Sequence, residues 1–156
     1  MVPNASGKIV LEPHGGSGNL IDHLKAVGAD MVLTCEKNEK LAEISKQKAD
    51  EFLGYDFLEL KKKDVAHIDM IVMNPPFSEQ AAHIEHAINI APEGCHIVSL
   101  CNYDSFTSRR YTDGRRVRME VENYGHIENI GDAFSDAERT TDIDIGLINM
   151  FKPLGS

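Results

Sequence analysis

Apolar residues along this chain fall into short unbroken runs separated by stretches of helical spacing. Residues 8–11, 31–35, 68–73 and 96–101 are such runs, and a shorter one lies within residues 51–58. Unbroken apolar runs, as opposed to alternating ones, mark strands covered on both faces, the pattern of a parallel sheet. Leu20, Ile21, Leu24 and Val27 fall at helical spacing after the first run. Leu41 and Ile44 do so after the second, in a helix begun by Asn38, and Ala81, Ile84 and Ile88 after the fourth, where Ser78 stands ready to cap. These spacings predict amphipathic helices between the strands. Two further strands are expected at residues 125–130 and 141–151, the latter with Ile143, Ile145 and Leu147 alternating with Asp142, Asp144 and Gly146. No clear helix separates them. Strand and helix therefore alternate for most of the length, which predicts an α/β fold.

The residues at the ends of these runs carry the candidate chemistry. The fourth run stops at Asn74-Pro75-Pro76-Phe77. Two adjacent prolines forbid a helix and withhold two backbone donors, which leaves the Asn74 side chain and the proline carbonyls as acceptors beside an aromatic ring. The first run is followed by Glu12-Pro13-His14-Gly15-Gly16-Ser17-Gly18 and then by a helix. Strand, glycine-rich turn and helix in this order let a ligand approach the main chain and meet free N–H groups at the helix amino terminus. The second run ends at Glu36, at about the distance past the glycine turn expected of a ribose-binding carboxylate in a Rossmann-like unit. In open α/β sheets, ligands bind at the carboxyl ends of strands, where all three features stand.

Composition narrows the picture. A chain of 156 residues is sized for a single domain over residues 1–156. No apolar run approaches the roughly 20 residues needed to cross a bilayer and nothing resembles a signal peptide, so a soluble, cytoplasmic protein is expected. Cys35, Cys95 and Cys101 lack metal-ligand spacing and read as buried thiols. His83 and His86 are three apart on one predicted helix but have no acidic or cysteine partner in the pattern. They read as exposed or hydrogen-bonded histidines, and no metal is expected. A net charge of -9 argues against whole-surface attraction to nucleic acid. Yet five of the six arginines, Arg109, Arg110, Arg115, Arg116 and Arg118, lie within ten residues. This basic island, expected on a loop after the fifth strand, is a candidate phosphate contact; a solvated helix or ion pairs with the surplus acids is the alternative. The Lys61-Lys62-Lys63 run reads as a solvated turn.

Taken together, these stretches resemble class I S-adenosylmethionine-dependent methyltransferases of the Asn-Pro-Pro-Phe type, which methylate exocyclic or amide nitrogens. The resemblance runs from Ile9 to Pro153 and is closest to bacterial or mobile-element adenine-N6 DNA methyltransferases. It implies a Rossmann-like, seven-stranded, mostly parallel sheet flanked by helices, with the last strand antiparallel. It further implies that Glu12 meets the methionine ammonium of S-adenosylmethionine while Pro13, His14, Gly16 and Gly18 pack around its amino-acid portion. Glu36 would accept from the ribose, Asp56 from the adenine amine, and Phe57 would pack on the adenine ring. Asn74, Pro75, Pro76 and Phe77 would form the catalytic turn, with Asn74 also bordering the cofactor.

By that resemblance the reaction is methyl transfer to an exocyclic amine, with N6 of adenine in DNA favoured. RNA adenine or guanine amino methylation, N5 methylation of a protein glutamine, and a non-catalytic cofactor-binding subunit are the alternatives. The glutamine enzymes usually have tyrosine where Phe77 stands. Only residues 1–8 precede the first strand, and the upstream helical segment and the target-recognition domain usual in the family have no counterpart here. A catalytic core of a longer protein, or a partner subunit that supplies recognition, is the expectation that follows.

Overall fold

The computed structural model describes residues 4–108, 114–131 and 143–155. Seven strands make one sheet: β1 (Ile9–Glu12), β2 (Met31–Cys35), β3 (Glu51–Gly54), β4 (Met70–Met73), β5 (His96–Asn102), β6 (Gly125–Gly131) and β7 (Ile145–Phe151). Their order is β3-β2-β1-β4-β5-β7-β6, with every pairing parallel except those that β7 makes with β5 and β6. The expected fold is therefore present, including the single reversed strand.

Alternate residues of the central strands feed two cores. Leu11, Leu33, Ile71, Met73 and Ile97 point to one side, where they pack with Ile84, Ala87 and Ile88 of α3 (Gln80–Ile90) and Val117 and Val121 of α5 (Arg115–Tyr124). Val10, Val32, Met70 and Val72 point to the other, against Ile21 and Leu24 of α1 (Asn19–Ala26). Burial on both faces is what the unbroken apolar runs encode.

Four local expectations are corrected. In α2 (Glu39–Lys48), where Asn38 caps as expected by accepting from the Lys40 and Leu41 N–H groups, the buried residues are Ala42 and Ser45, while Ile44 is exposed. The face that docks is the small one, because it must fit against the glycine turn. Ser78 does not cap α3: a short 3-10 turn, Phe77–Glu79, intervenes, and the helix starts without a side-chain cap. In β7, Ile145 is buried as the alternation expects, but Ile148 and Met150 are fully buried and Leu147 only partly so, against that alternation. The covered face is the one carrying Ile148 and Met150, which packs with Val117 and Val121 of α5, while Leu147, Asn149 and Phe151 on the other face stay partly or largely exposed. Lastly, Arg115, Arg116 and Arg118 lie on a helix, α5, and not on a loop. Arg109, Arg110 and the first two residues expected in the last strand, Thr141 and Asp142, lie outside the described residues. Among the described residues no helix is long and apolar enough to cross a membrane.

Candidate active site

The glycine turn and the Asn-Pro-Pro-Phe turn leave adjacent strands at the same end of the sheet. β1 pairs in parallel with β2 on one side and β4 on the other, with Leu11 opposite both Leu33 and Ile71. The carboxyl ends carrying Glu12, Glu36 and Asn74 therefore stand side by side. At this end opens a cleft of about 220 Å³ whose lining includes Pro13, His14, Glu36, Asp56, Phe57 and Pro76, but not Glu12, Gly16, Gly18 or Asn74. A second cleft of about 400 Å³ begins at Phe77, Ser78 and Glu79. Glu79 borders both, so the proline turn is the partition between them.

The glycine turn is held by specific contacts. Thr34 Oγ1 donates to the Glu12 carbonyl at 2.7 Å, the Gly15 N–H donates to the Cys35 carbonyl at 2.9 Å, and Ser45 Oγ donates to the Gly16 carbonyl at 3.3 Å. A Cβ at Gly15 would lie 2.3 Å from Ser45 Oγ and 2.8 Å from Thr34 Oγ1, so only glycine fits. Gly16 and Gly18 have φ of 55° and 85°, the left-handed region that glycine enters without strain. Glu36 closes the turn: one carboxylate oxygen accepts from the Gly16 N–H at 2.6 Å and the other from the Asn38 N–H at 2.8 Å. Each oxygen keeps a second lone pair for a ligand hydroxyl.

Glu12 is 1% exposed, and one of its oxygens accepts from the His14 N–H at 3.2 Å. Burial pushes its carboxyl up to about 8, against the opposing effect of that hydrogen bond, with the Glu36 carboxylate adding to the rise. The other oxygen, Oε2, has no partner. Among the described residues only one other buried side-chain polar atom is unpartnered, His14 Nδ1, two residues away. Each such atom costs about 1–3 kcal/mol when nothing bonds to it, and both fall within three residues of one turn, of which His14 lines the cleft. Unpartnered buried acceptors of this kind mark a candidate site for a group that brings its own donors.

His14 Nε2 lies 3.0 Å from His83 Nδ1, a contact that joins the turn to α3. Burial, then the proximity of His83, lowers His14 to about 4, so both rings are neutral near pH 7 and share one proton across the bond. Phe57 is buried and stacks on His83 with ring centroids 5.8 Å apart. His86 bonds the Leu60 carbonyl at 2.9 Å, as expected of a hydrogen-bonded histidine. No cluster of three or more metal-ligating side chains occurs among the described residues. Asp56 accepts from the Leu58 N–H through Oδ1 at 2.9 Å, and its Oδ2 has no protein partner among them.

At the end of β4, Asn74 is exposed and Pro75 buried. Among the described residues no hydrogen bond reaches the Asn74 side chain or the Pro75 carbonyl, whereas the Pro76 carbonyl is taken by the Glu79 N–H at 2.9 Å. Two acceptors thus remain available beside Phe77. The arginines divide. Arg118 lines the second cleft, while Arg115 and Arg116 line a separate groove with Met119, Glu120 and Asn123 on another face of α5.

Sequence reasoning missed Gly15, Thr34, Ser45, His83 and Gln80 as parts of this site. Gln80 is buried, accepts from the Asn102 N–H at 2.8 Å and donates to Ser105 Oγ at 3.0 Å, fixing one wall of the second cleft. A polar residue amid an apolar helix stripe was the available signal for Ser45, His83 and Gln80.

No family model and no curated protein sequence matches this chain. Solved structures do. An S-adenosylmethionine-dependent methyltransferase from Mesorhizobium loti aligns over 96% of this chain and 93% of its own, with TM-score 0.67 and 12% identity. A chain from the Haloferax volcanii complex between the Trm112 methyltransferase activator and a proposed methyltransferase aligns over 97% of this chain and 85% of its own, with TM-score 0.67 and 14% identity. Protein 1320 of Thermoplasma acidophilum aligns over 96% and 77%, with TM-score 0.64 and 20% identity. The chain therefore has the fold of S-adenosylmethionine-dependent methyltransferases.

Proposed function

We propose that this protein transfers a methyl group from S-adenosylmethionine to an exocyclic amine, with N6 of adenine in DNA as the acceptor that the site suits best. The observation that carries the reading is the pair of acceptors unengaged among the described residues, the Asn74 side chain and the Pro75 carbonyl, immediately before Pro76 and Phe77, which line the first and the second cleft respectively.

The first cleft fits the cofactor. The unpartnered Glu12 oxygen matches an ammonium group, Glu36 retains lone pairs for ribose hydroxyls, Asp56 Oδ2 is available to an adenine amine, and Phe57 offers an aromatic edge in the same wall. When bound, S-adenosylmethionine supplies a methyl group already activated by its sulfonium. What remains for the protein is to hold and polarise the acceptor. An adenine N6 lone pair is delocalised into the ring. Asn74 Oδ1 and the Pro75 carbonyl accept its two N–H groups, favour a pyramidal nitrogen, and stabilise the positive charge that grows there. Phe77 stacks on the base from the second cleft, and a base in duplex must first leave the helix stack. No strong general base is required, because the methylated ammonium is acidic.

Arg115, Arg116 and Arg118 of α5, with Arg109 and Arg110 near them in sequence, concentrate basic charge in one stretch of an otherwise acidic chain, suited to a nucleic-acid backbone. Target recognition by a further segment or a partner subunit is part of this reading; the activator bound to the Haloferax neighbour is a precedent for a partner. Calorimetry with S-adenosylhomocysteine, followed by tritium transfer from labelled cofactor to DNA, RNA and protein, tests the whole. Transfer to DNA adenine supports it. Transfer to protein glutamine or to RNA alone changes the acceptor, and cofactor binding without transfer to any of the three refutes catalysis.

A further inference from the structure

The second cleft has an uneven lining. Phe77 and Ala81 on one side and Phe106 on the other are apolar, Gln80 locks the two sides together, and Arg118 is the one cation among the described residues of its lining. The Arg118 guanidinium donates through Nη1 to the Ser108 carbonyl at 3.0 Å, which orients the fork and leaves further N–H donors without a partner among the described residues. None of the ion pairs among the described residues includes Arg118, although the chain carries 25 acidic residues against 16 basic ones. Glu79, the acid in the same lining, leans to the other side, with Oε2 3.8 Å from His83 Nε2. A half-buried, oriented guanidinium with no ion pair among the described residues, beside an aromatic platform, matches a ligand that joins a planar ring to an anion.

On these grounds we propose that Arg118 holds a phosphate adjoining the nucleotide whose base rests on Phe77. The acceptor is then a nucleotide, not an uncharged amide side chain. Arg115 and Arg116, on a different face of α5, touch only more distant backbone. The inference rests on the methyl-transfer reading and specifies its acceptor cleft.

A thermodynamic cycle tests it. The probe is a single-stranded DNA decamer with one adenine among thymines, with the two phosphates flanking that adenine either native or replaced by neutral methylphosphonates. Its affinity is read by fluorescence anisotropy against the parent protein, Arg118→Met, Arg118→Lys and the double variant Arg115→Met/Arg116→Met. Arg118→Met and the methylphosphonates should each weaken binding roughly tenfold, the loss expected for hydrogen bonds to a charged group, and together cost little more. Arg118→Met should also make the slope of log affinity against log salt shallower by about 1. Arg118→Lys, which keeps the charge, should retain part of the coupling even if the methionine variant folds poorly. The Arg115/Arg116 variant should be additive with the methylphosphonates. Additivity for both Arg118 variants overturns the assignment while methyl transfer by the parent still stands. A parent that neither binds the decamer nor methylates DNA overturns the acceptor reading along with it.

Discussion

Glu12→Gln should make the protein more stable in alkali while impairing the proposed cofactor site. The folded carboxyl holds its proton to about pH 8, because burial in the turn disfavours the charge, whereas the unfolded chain releases it near 4.5. Between these values the folded state binds more protons than the unfolded state, so stability falls as pH rises through the window and the loss is complete above about 8. At about 1.4 kcal/mol for each tenfold change in proton affinity, the penalty approaches about 5 kcal/mol as a ceiling, which relaxation around the charge reduces. Glutamine keeps an oxygen for the His14 N–H and cannot ionise. Urea unfolding near pH 5 and near pH 9 should therefore show the variant gaining several kcal/mol on the parent between the two, all other titrations being common to both. Calorimetry near pH 6.5 in buffers of different ionisation enthalpy should show the parent releasing close to one proton per S-adenosylhomocysteine bound, as the ligand ammonium displaces the Glu12 proton. The variant should release none and bind at least tenfold more weakly. Stability curves that stay parallel across this range would refute the buried, ligand-awaiting carboxyl on which the cofactor assignment rests.

Other expectations follow from the same geometry. Asn74→Ala should lower single-turnover methyl transfer by about 100- to 1,000-fold, the range for losing one preorganised acceptor or donor at a developing charge, while S-adenosylhomocysteine affinity in calorimetry changes far less. Phe77→Ala should raise the acceptor KM by an amount equivalent to about 1–3 kcal/mol of stacking, seen in steady-state kinetics with DNA varied at saturating cofactor. Gly15→Ala should cost about 1–3 kcal/mol in thermal or urea unfolding through overpacking, since its Cβ would meet Ser45 Oγ at 2.3 Å. Adding Ser45→Gly should recover much of that loss, and no recovery would place the strain elsewhere.

The linear sequence by itself determined the sheet and the places where ligands can meet it. Buried parallel strands must be unbroken apolar runs, and each here ends in residues that cannot continue a strand or that offer a carboxylate: Glu12-Pro13 with its glycines, Glu36, and Asn74 with two prolines. Those signals are local, which is why they can be read one residue after another. Only the tertiary structure decided that α2 docks by Ala42 and Ser45, that β7 enters between β5 and β6, that His14 reaches His83, and that Arg118 parts company with Arg115 and Arg116. Each of these is set by contact between segments far apart in the chain, where packing against a neighbour outweighs the preference written into the segment itself.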